Sequence, residues 1–360
     1  MKKKLVLTIC MLAMGASLLT GCKKEETPVP VPTETQKVTE VKEDKHQGLE
    51  QNALNGTWQD PATAQKRPMA IMVENTKVTL PQYGISCADI VYELPVEGGI
   101  TRLMTLAQDY GDLERVGNVR SCRIDFLFFA TEYDAVYYHC GQNYLAEGLL
   151  NAGFVADVNG ITGTAGAYFY RSDEAGRKAP HNLYTSSALL QQAMTDMGFD
   201  TPIADVAKEH FLFAEEDELN TLDKGDKVVR MDIYYANNEP YFIYDDKSKT
   251  YLRYQFDEEQ IEGNTNEQLS YTNVILQSIP IDFDGNGVVL MNTVAEGTGK
   301  FFTQGKAIDI TWKKESDTAP TKYYDTQGNE ITLNPGKTWI CVQKDTDMEK
   351  NVFSDKADAE

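Results

Sequence analysis

The chain has 360 residues, with 55 acidic against 34 basic side chains and a formal charge of −21. So acidic a chain excludes general nucleic-acid binding, which works by neutralising phosphates with Lys and Arg, and disfavours lying flat on anionic lipid. The cysteines follow no metal-ligand spacing, and nothing in the sequence calls for a cofactor.

Residues 1–21 read as a lipoprotein signal peptide. A basic "MKKK" precedes the apolar "LVLTICMLAMGASLL", which is shorter than the roughly 20 residues of a spanning helix. It ends in "LTGC", so Cys22 is the expected lipidated residue and the membrane anchor, on the extracytoplasmic face of a bacterial cell. Residues 22–57 carry "KKEETPVPVPTETQKVTEVKEDKHQ", almost without aromatics, and read as a disordered tether.

Residues 58–210 are expected to form a mixed α/β, sandwich-like domain. "RPMAIMVEN", "ADIVYELPV", "TRLMTLAQDY" and "YDAVYYHC" read as strands. "RIDFLFFATEY", "QNYLAEGLLNAG" and "SSALLQQAMTDMG" carry apolar residues at helical spacing. A charged linker over 211–227 leads to a smaller, mostly-β domain over 228–348, a sandwich or partly open barrel. The tail 349–360 is expected to fray. The fold class is therefore α+β or α/β, in two parts.

The candidate site residues cluster where strands end. "ADIVYELPV" runs into Glu97, two glycines and Arg102, and "YDAVYYHC" exits at His139. In "VGNVRSCR", Ser121 is a credible N-cap for the helix that follows, flanked by Arg120 and Arg123. Two cations there oppose the helix dipole and call for an anion, either an internal carboxylate such as Glu97 or Asp125, or a ligand phosphate or carboxylate. A second basic group lies in "RSDEAGRKAPHNLYTS", with Arg171, Lys178, His181 and Asn182. Cys122 or Ser121 with His139 or His181 would make a nucleophile and base, the alternative of a hydrolase or transferase acting on wall polymer. Cys122 and Cys140 are either bridged or small buried thiols. "DFDGNG" places Asp282, Asp284 and Asn286 at calcium-loop spacing but reads more plainly as a hairpin turn.

The motifs "RPMAIMVEN…LPQYGISCADIVYELPVEGGITR", "VGNVRSCR", "YYHCG", "RKAPHNLYTS" and "TKYYDTQGNEITLNPGKTWI" stand in that order. Over roughly residues 50 to 345 the chain resembles the YerB-like bacterial envelope lipoproteins, a two-part family whose domains carry no settled reaction. One departure is Cys122, where the family pattern reads Arg-Ser-Ala-Arg. The resemblance implies a lipid-anchored, extracytoplasmic protein. Together with the basic residues at strand ends it favours a binding role, toward an anionic or glycan envelope ligand or a membrane protein partner.

Overall fold

An eleven-stranded mixed sheet runs through the computed structural model, which describes residues 45–358. Cys22, the signal segment and the tether up to residue 44 lie outside the described residues. In chain order the strands are β1 (Met69–Asn75), β2 (Ile90–Pro95), β3 (Thr101–Ala107), β4 (Val136–His139), β5 (Asp157–Asn159) and β6 (Asp226–Lys227). They continue with β7 (Asn273–Ile279), β8 (Glu296–Thr303), β9 (Lys306–Lys313), β10 (Lys322–Asp325) and β11 (Thr338–Lys344). The order across the sheet is β6-β9-β8-β7-β11-β2-β3-β1-β4-β5, with β10 also paired to β9.

The join between early and late strands is β11, parallel to β7 on one side and to β2 on the other. Thr338 stands opposite Ile90 and Cys341 opposite Glu93. The late strands therefore extend the early sheet, where the sequence reading expects a sandwich or barrel of their own. Most of the rest form a second, six-stranded sheet that includes Arg230–Asp232, Tyr241–Asp245 and Thr250–Gln255.

Both faces of the central strands β1, β2, β3, β7 and β11 are covered, so these read as near-continuous apolar runs, whereas β9 toward the edge alternates buried and exposed residues. Alternate residues of β1 divide between the faces. Ala70 and Met72 join a core with Phe126, Leu127 and Phe129 of helix α1 (Ile124–Ala130). Ile71 and Val73 join a second core with Met231, Phe242 and Tyr251 of the six-stranded sheet. Helix α2 (Tyr144–Asn151) lies with the first layer, and Leu190 and Ala193 of helix α3 (Ser187–Asp196) enter the second core. Among the described residues no helix is long and apolar enough to cross a membrane.

Several boundaries move. The expected tether to residue 57 ends earlier: Glu50–Gln51 pairs with Trp58–Gln59, and Leu54 is fully buried. Leu54 in the core, Ala53 packed against it, and Asn52 and Asn55 bonded to Asp89 dock this short stretch. Within the expected linker, Leu212–Phe213 pairs with Thr332–Leu333 and Asp226–Lys227 with β9. The tail does not fray, because Val352–Ser354 forms an antiparallel edge strand on Arg230–Asp232. "DFDGNG" is the turn of a hairpin between Ile281–Phe283 and Val289–Met291. There Asp284 accepts backbone N–H groups from Asn286 and Val288, so its oxygens serve the turn.

Candidate functional site

The site begins where β1 and β4 part. The two strands pair only from Met69 and Val136 to Ile71 and Tyr138. Beyond that point residues 118–122 enter between them. Glu74 N donates to Asn118 O at 3.0 Å, and Arg120 N donates to Met72 O at 3.0 Å. On the other side Cys140 N donates to Arg120 O at 3.0 Å, and Cys122 N donates to Gly141 O at 2.9 Å. The insertion thus satisfies backbone groups that the splitting would have stranded. It also holds Arg120 and Ser121 at the carboxyl ends of β1 and β4, the usual ligand position on such sheets.

Six of the expected residues meet there, Ser121 through its backbone carbonyl, with one the sequence reading missed. Arg123 Nε donates to Glu97 Oε2 at 2.7 Å, the carboxylate first suspected as its partner. Arg120 Nη1 lies 3.3 Å from Glu74 Oε2 and donates to Pro180 O at 3.1 Å. His181 Nδ1 lies 2.8 Å from Glu74 Oε1. Arg102, only 3% exposed, donates from Nη1 to Ser121 O at 3.0 Å. Glu74 is the residue not foreseen. It sits at the end of the apolar run "MAIMVEN", where an acid directly after an apolar strand run was the available signal.

The electrostatics are unbalanced. Three guanidiniums share the cluster with two carboxylates. Burial first, then the neighbouring Arg123 and Arg120, pull the Arg102 pKa down to about 9, while Glu74 and Glu97 act the other way. Arg102 Nε and Arg120 Nε are buried without a hydrogen-bond partner among the described residues, as are Glu97 Oε1 and, by hydrogen-bond geometry, Glu74 Oε2. An unmet buried donor on a charged group costs free energy, so such atoms mark a place suited to a further acceptor.

Other candidates lie apart from this group. His139 is fully buried, its ring between Gly141 O at 2.8 Å and Asp157 Oδ2 at 3.1 Å. Arg171 donates to Asn182 Oδ1 at 2.9 Å, and Asn182 donates to Asp173, which also pairs with the exposed Lys178. That set ties the 171–182 loop to itself. Ser121 is not the N-cap of α1: Arg123 holds that position, without a side-chain cap bond. The extended inserted segment runs past Ser121 before the helix can start.

Cys122 is poorly placed for nucleophilic attack. Cys122 is buried, and burial pushes its pKa up to about 12. Cys122 and Cys140 are both free thiols. A cleft of about 830 Å³ opens at the other ends of the same strands, lined by residues including Arg67, Asp134, Phe154 and Phe199. Its lining carries Arg67, paired with Asp134 at 2.8 Å, and also Asp157, so the excess there is one carboxylate, whereas at the arginine cluster it is one guanidinium. For an anion the chemistry therefore points to the cluster.

Comparison with known proteins agrees in both halves. Residues 54–200 match the N-terminal domain, and residues 229–340 the C-terminal domain, of the family described as a protein of unknown function, DUF3048. The chain is 28% identical over 348 residues to YerB of Bacillus subtilis (strain 168), a protein named as a candidate lipoprotein, covering 95% of this chain and 96% of that one. The crystal structure of the YerB protein from Bacillus subtilis aligns with a TM-score of 0.74 at 25% identity, over 85% of this chain and 99% of that one. With both family segments in order and the likeness running along nearly its whole length, the chain belongs to the YerB-like, DUF3048 family.

Proposed function

We propose that this chain is a lipid-anchored protein of the extracytoplasmic face of a bacterial membrane. It binds an anionic ligand of the envelope, such as an acidic glycan polymer, through Arg102, Arg120 and Arg123. The anchoring is supported by the apolar segment ending at Cys22 and by the name of the Bacillus relative. The observation that carries the binding reading is Arg102: a buried guanidinium beside two others, with Nε unpartnered among the described residues. On a chain of net charge −21, a local excess of guanidinium is a selective feature for an oxyanion.

The test is co-sedimentation of the full chain, in detergent, with purified insoluble bacterial cell wall. Arg120→Ala combined with Arg123→Ala is expected to weaken retention by at least about tenfold, since hydrogen bonds to charged groups contribute roughly 1.5–3 kcal/mol each. Removing both guanidiniums leaves the buried Glu74 and the half-buried Glu97 short of a partner, so the variant is expected to melt somewhat lower while keeping a cooperative transition. Equal retention of the two proteins, or unfolding of the variant as severe as its loss of retention, contradicts the reading.

A further inference from the structure

The cluster already contains an oxyanion of its own. Glu97 reaches Arg123 through Oε2, while Oε1 is buried with no hydrogen-bond partner among the described residues. An ionised carboxylate has about four acceptor sites, so this one is poorly served where it stands. Glu97 opens the short Glu97–Gly99 turn between β2 and β3. Gly98 and Gly99 have φ of +80° and +74°, and a Cβ placed on Gly98 would meet nothing within 4 Å. Two glycines without packing around the first leave that turn free to re-orient. Arg102 lies close to this carboxylate, its Nε unmet, as is the Nε of Arg120.

We propose that Glu97 is a built-in surrogate for the ligand, and that a phosphate group carried by the ligand displaces it to take Arg102, Arg120 and Arg123. The proposal rests on the cluster being the ligand site. With Glu97 in place, two carboxylates offset three guanidiniums. With Glu97 turned out, Glu74 alone remains, held by His181 and by Arg120. The exchange therefore raises the positive charge as the anion arrives, which favours a phosphate over a neutral sugar.

The class of oxyanion follows from how the guanidiniums are carried. They come from three places: strand β3, the inserted segment, and the residue preceding α1. A planar carboxylate matches one guanidinium fork. A tetrahedral phosphate presents acceptor oxygens in several directions and can serve three.

Calorimetric titration of the full chain in detergent tests this with three probes: inorganic phosphate, the diester glycerophosphoglycerol, and glucuronate. Glu97→Gln keeps the side-chain shape and removes the competing charge. It is expected to bind the preferred phosphate probe at least about tenfold more tightly than the parent, because a like charge facing the anion is removed. Glu97→Ala should act in the same direction, which covers a folding defect in the first variant. Preference for inorganic phosphate identifies a terminal phosphate, and preference for the diester identifies a polymer backbone. Adding Arg120→Ala and Arg123→Ala to Glu97→Gln should abolish the gain.

A parent that binds phosphate while both Glu97 variants bind it equally or more weakly overturns the surrogate role and leaves the anion site standing. Tighter binding of glucuronate than of either phosphate probe overturns the phosphate class. A gain that survives loss of Arg120 and Arg123 places the binding elsewhere and overturns the proposal. Binding of no probe by any of the proteins overturns both the proposal and the site on which it rests.

Discussion

At the scale of single residues, a charge can be legible in sequence while its partner is not. Arg120 and Arg123 demanded an anion because they stand together before a helix on an acidic chain. Glu97 could be suspected because it follows a strand and precedes two glycines. Glu74 could not be paired in advance, since Arg120 meets it only through the insertion of residues 118–122 beside β1. Asp125 shows the same limit. Its side chain faces inward and accepts the backbone N–H of Met291 at 2.8 Å, a contact across 166 residues. Burial, the largest cause, raises its pKa to about 7. An acid whose folded pKa lies above its unfolded value of about 3.9 binds its proton more tightly when folded. It therefore costs stability progressively as pH rises from about 4 to 7. Asp125→Asn retains an acceptor for Met291 and removes that cost. Urea denaturation should show the variant gaining on the parent by a few kcal/mol between pH 4 and pH 8, at roughly 1.4 kcal/mol per pH unit where the two states differ. A difference that does not change with pH would contradict this assignment.

At the scale of elements, the strand pattern was readable wherever apolar and aromatic residues carried it. Strand β8, "EGTGKFFT", escaped because two glycines break the pattern. Those glycines are demanded by contact rather than by flexibility. A Cβ at Gly299 would fall 2.2 Å from Leu276 O, and one at Gly297 would fall 2.6 Å from the Trp312 ring nitrogen. Gly299→Ala is expected to destabilise by at least about 1–3 kcal/mol, the usual range for overpacking, measured by chemical denaturation. The single-turn helix Thr131–Tyr133 after α1 illustrates a polar join between elements. Glu132 is fully buried, 2.8 Å from Lys314 Nζ and 2.8 Å from His210 Nε2, and Thr321 donates to both its oxygens. Burial pushes the Glu132 pKa up, but the bond from His210 and the charge of Lys314 more than offset it, so the carboxyl stays below its ordinary value. Burial also lowers the His210 pKa. For the carboxylate, stability is present above the unfolded pKa and lost as pH falls through the folded one. For a histidine held neutral, stability is lost as pH falls below about 6.5, where the unfolded chain takes the proton more readily. Both act to destabilise the fold in acid. Lys314→Met leaves Glu132 as an uncompensated buried charge and should cost about 3–5 kcal/mol at pH 7. A loss below about 1 kcal/mol would show that the pair does not hold this junction.

At the scale of the molecule, the two family segments were legible and their union was not. Parallel pairing of β2 with β11 joins residues some 250 apart, and no local pattern encodes it. The same union is sealed inside. Glu93 and Arg253 are both fully buried and 2.6 Å apart, with Trp339 Nε1 donating to Glu93 at 3.2 Å and the guanidinium lying over the Phe242 and Trp339 rings. Residues of both segments also mix in each of the two cores. Residues 1–210 expressed alone are therefore expected to lack a cooperative thermal transition, while the full chain melts in one. A sharp transition in the fragment would contradict the shared core. The shared sheet also gives the arginine cluster a rigid floor, since β1, β2 and β3 lie inside it rather than at an edge. On the proposal above, this floor presents Arg102, Arg120 and Arg123 to a phosphate in place of Glu97. A crystal structure of the chain grown with saturating glycerophosphoglycerol tests it most directly. The expected result is phosphate oxygens within hydrogen-bond distance of Arg102 Nε and Arg120 Nε, with Glu97 turned away from Arg123. Glu97 still bonded to Arg123, with the diester elsewhere or unbound, would contradict it.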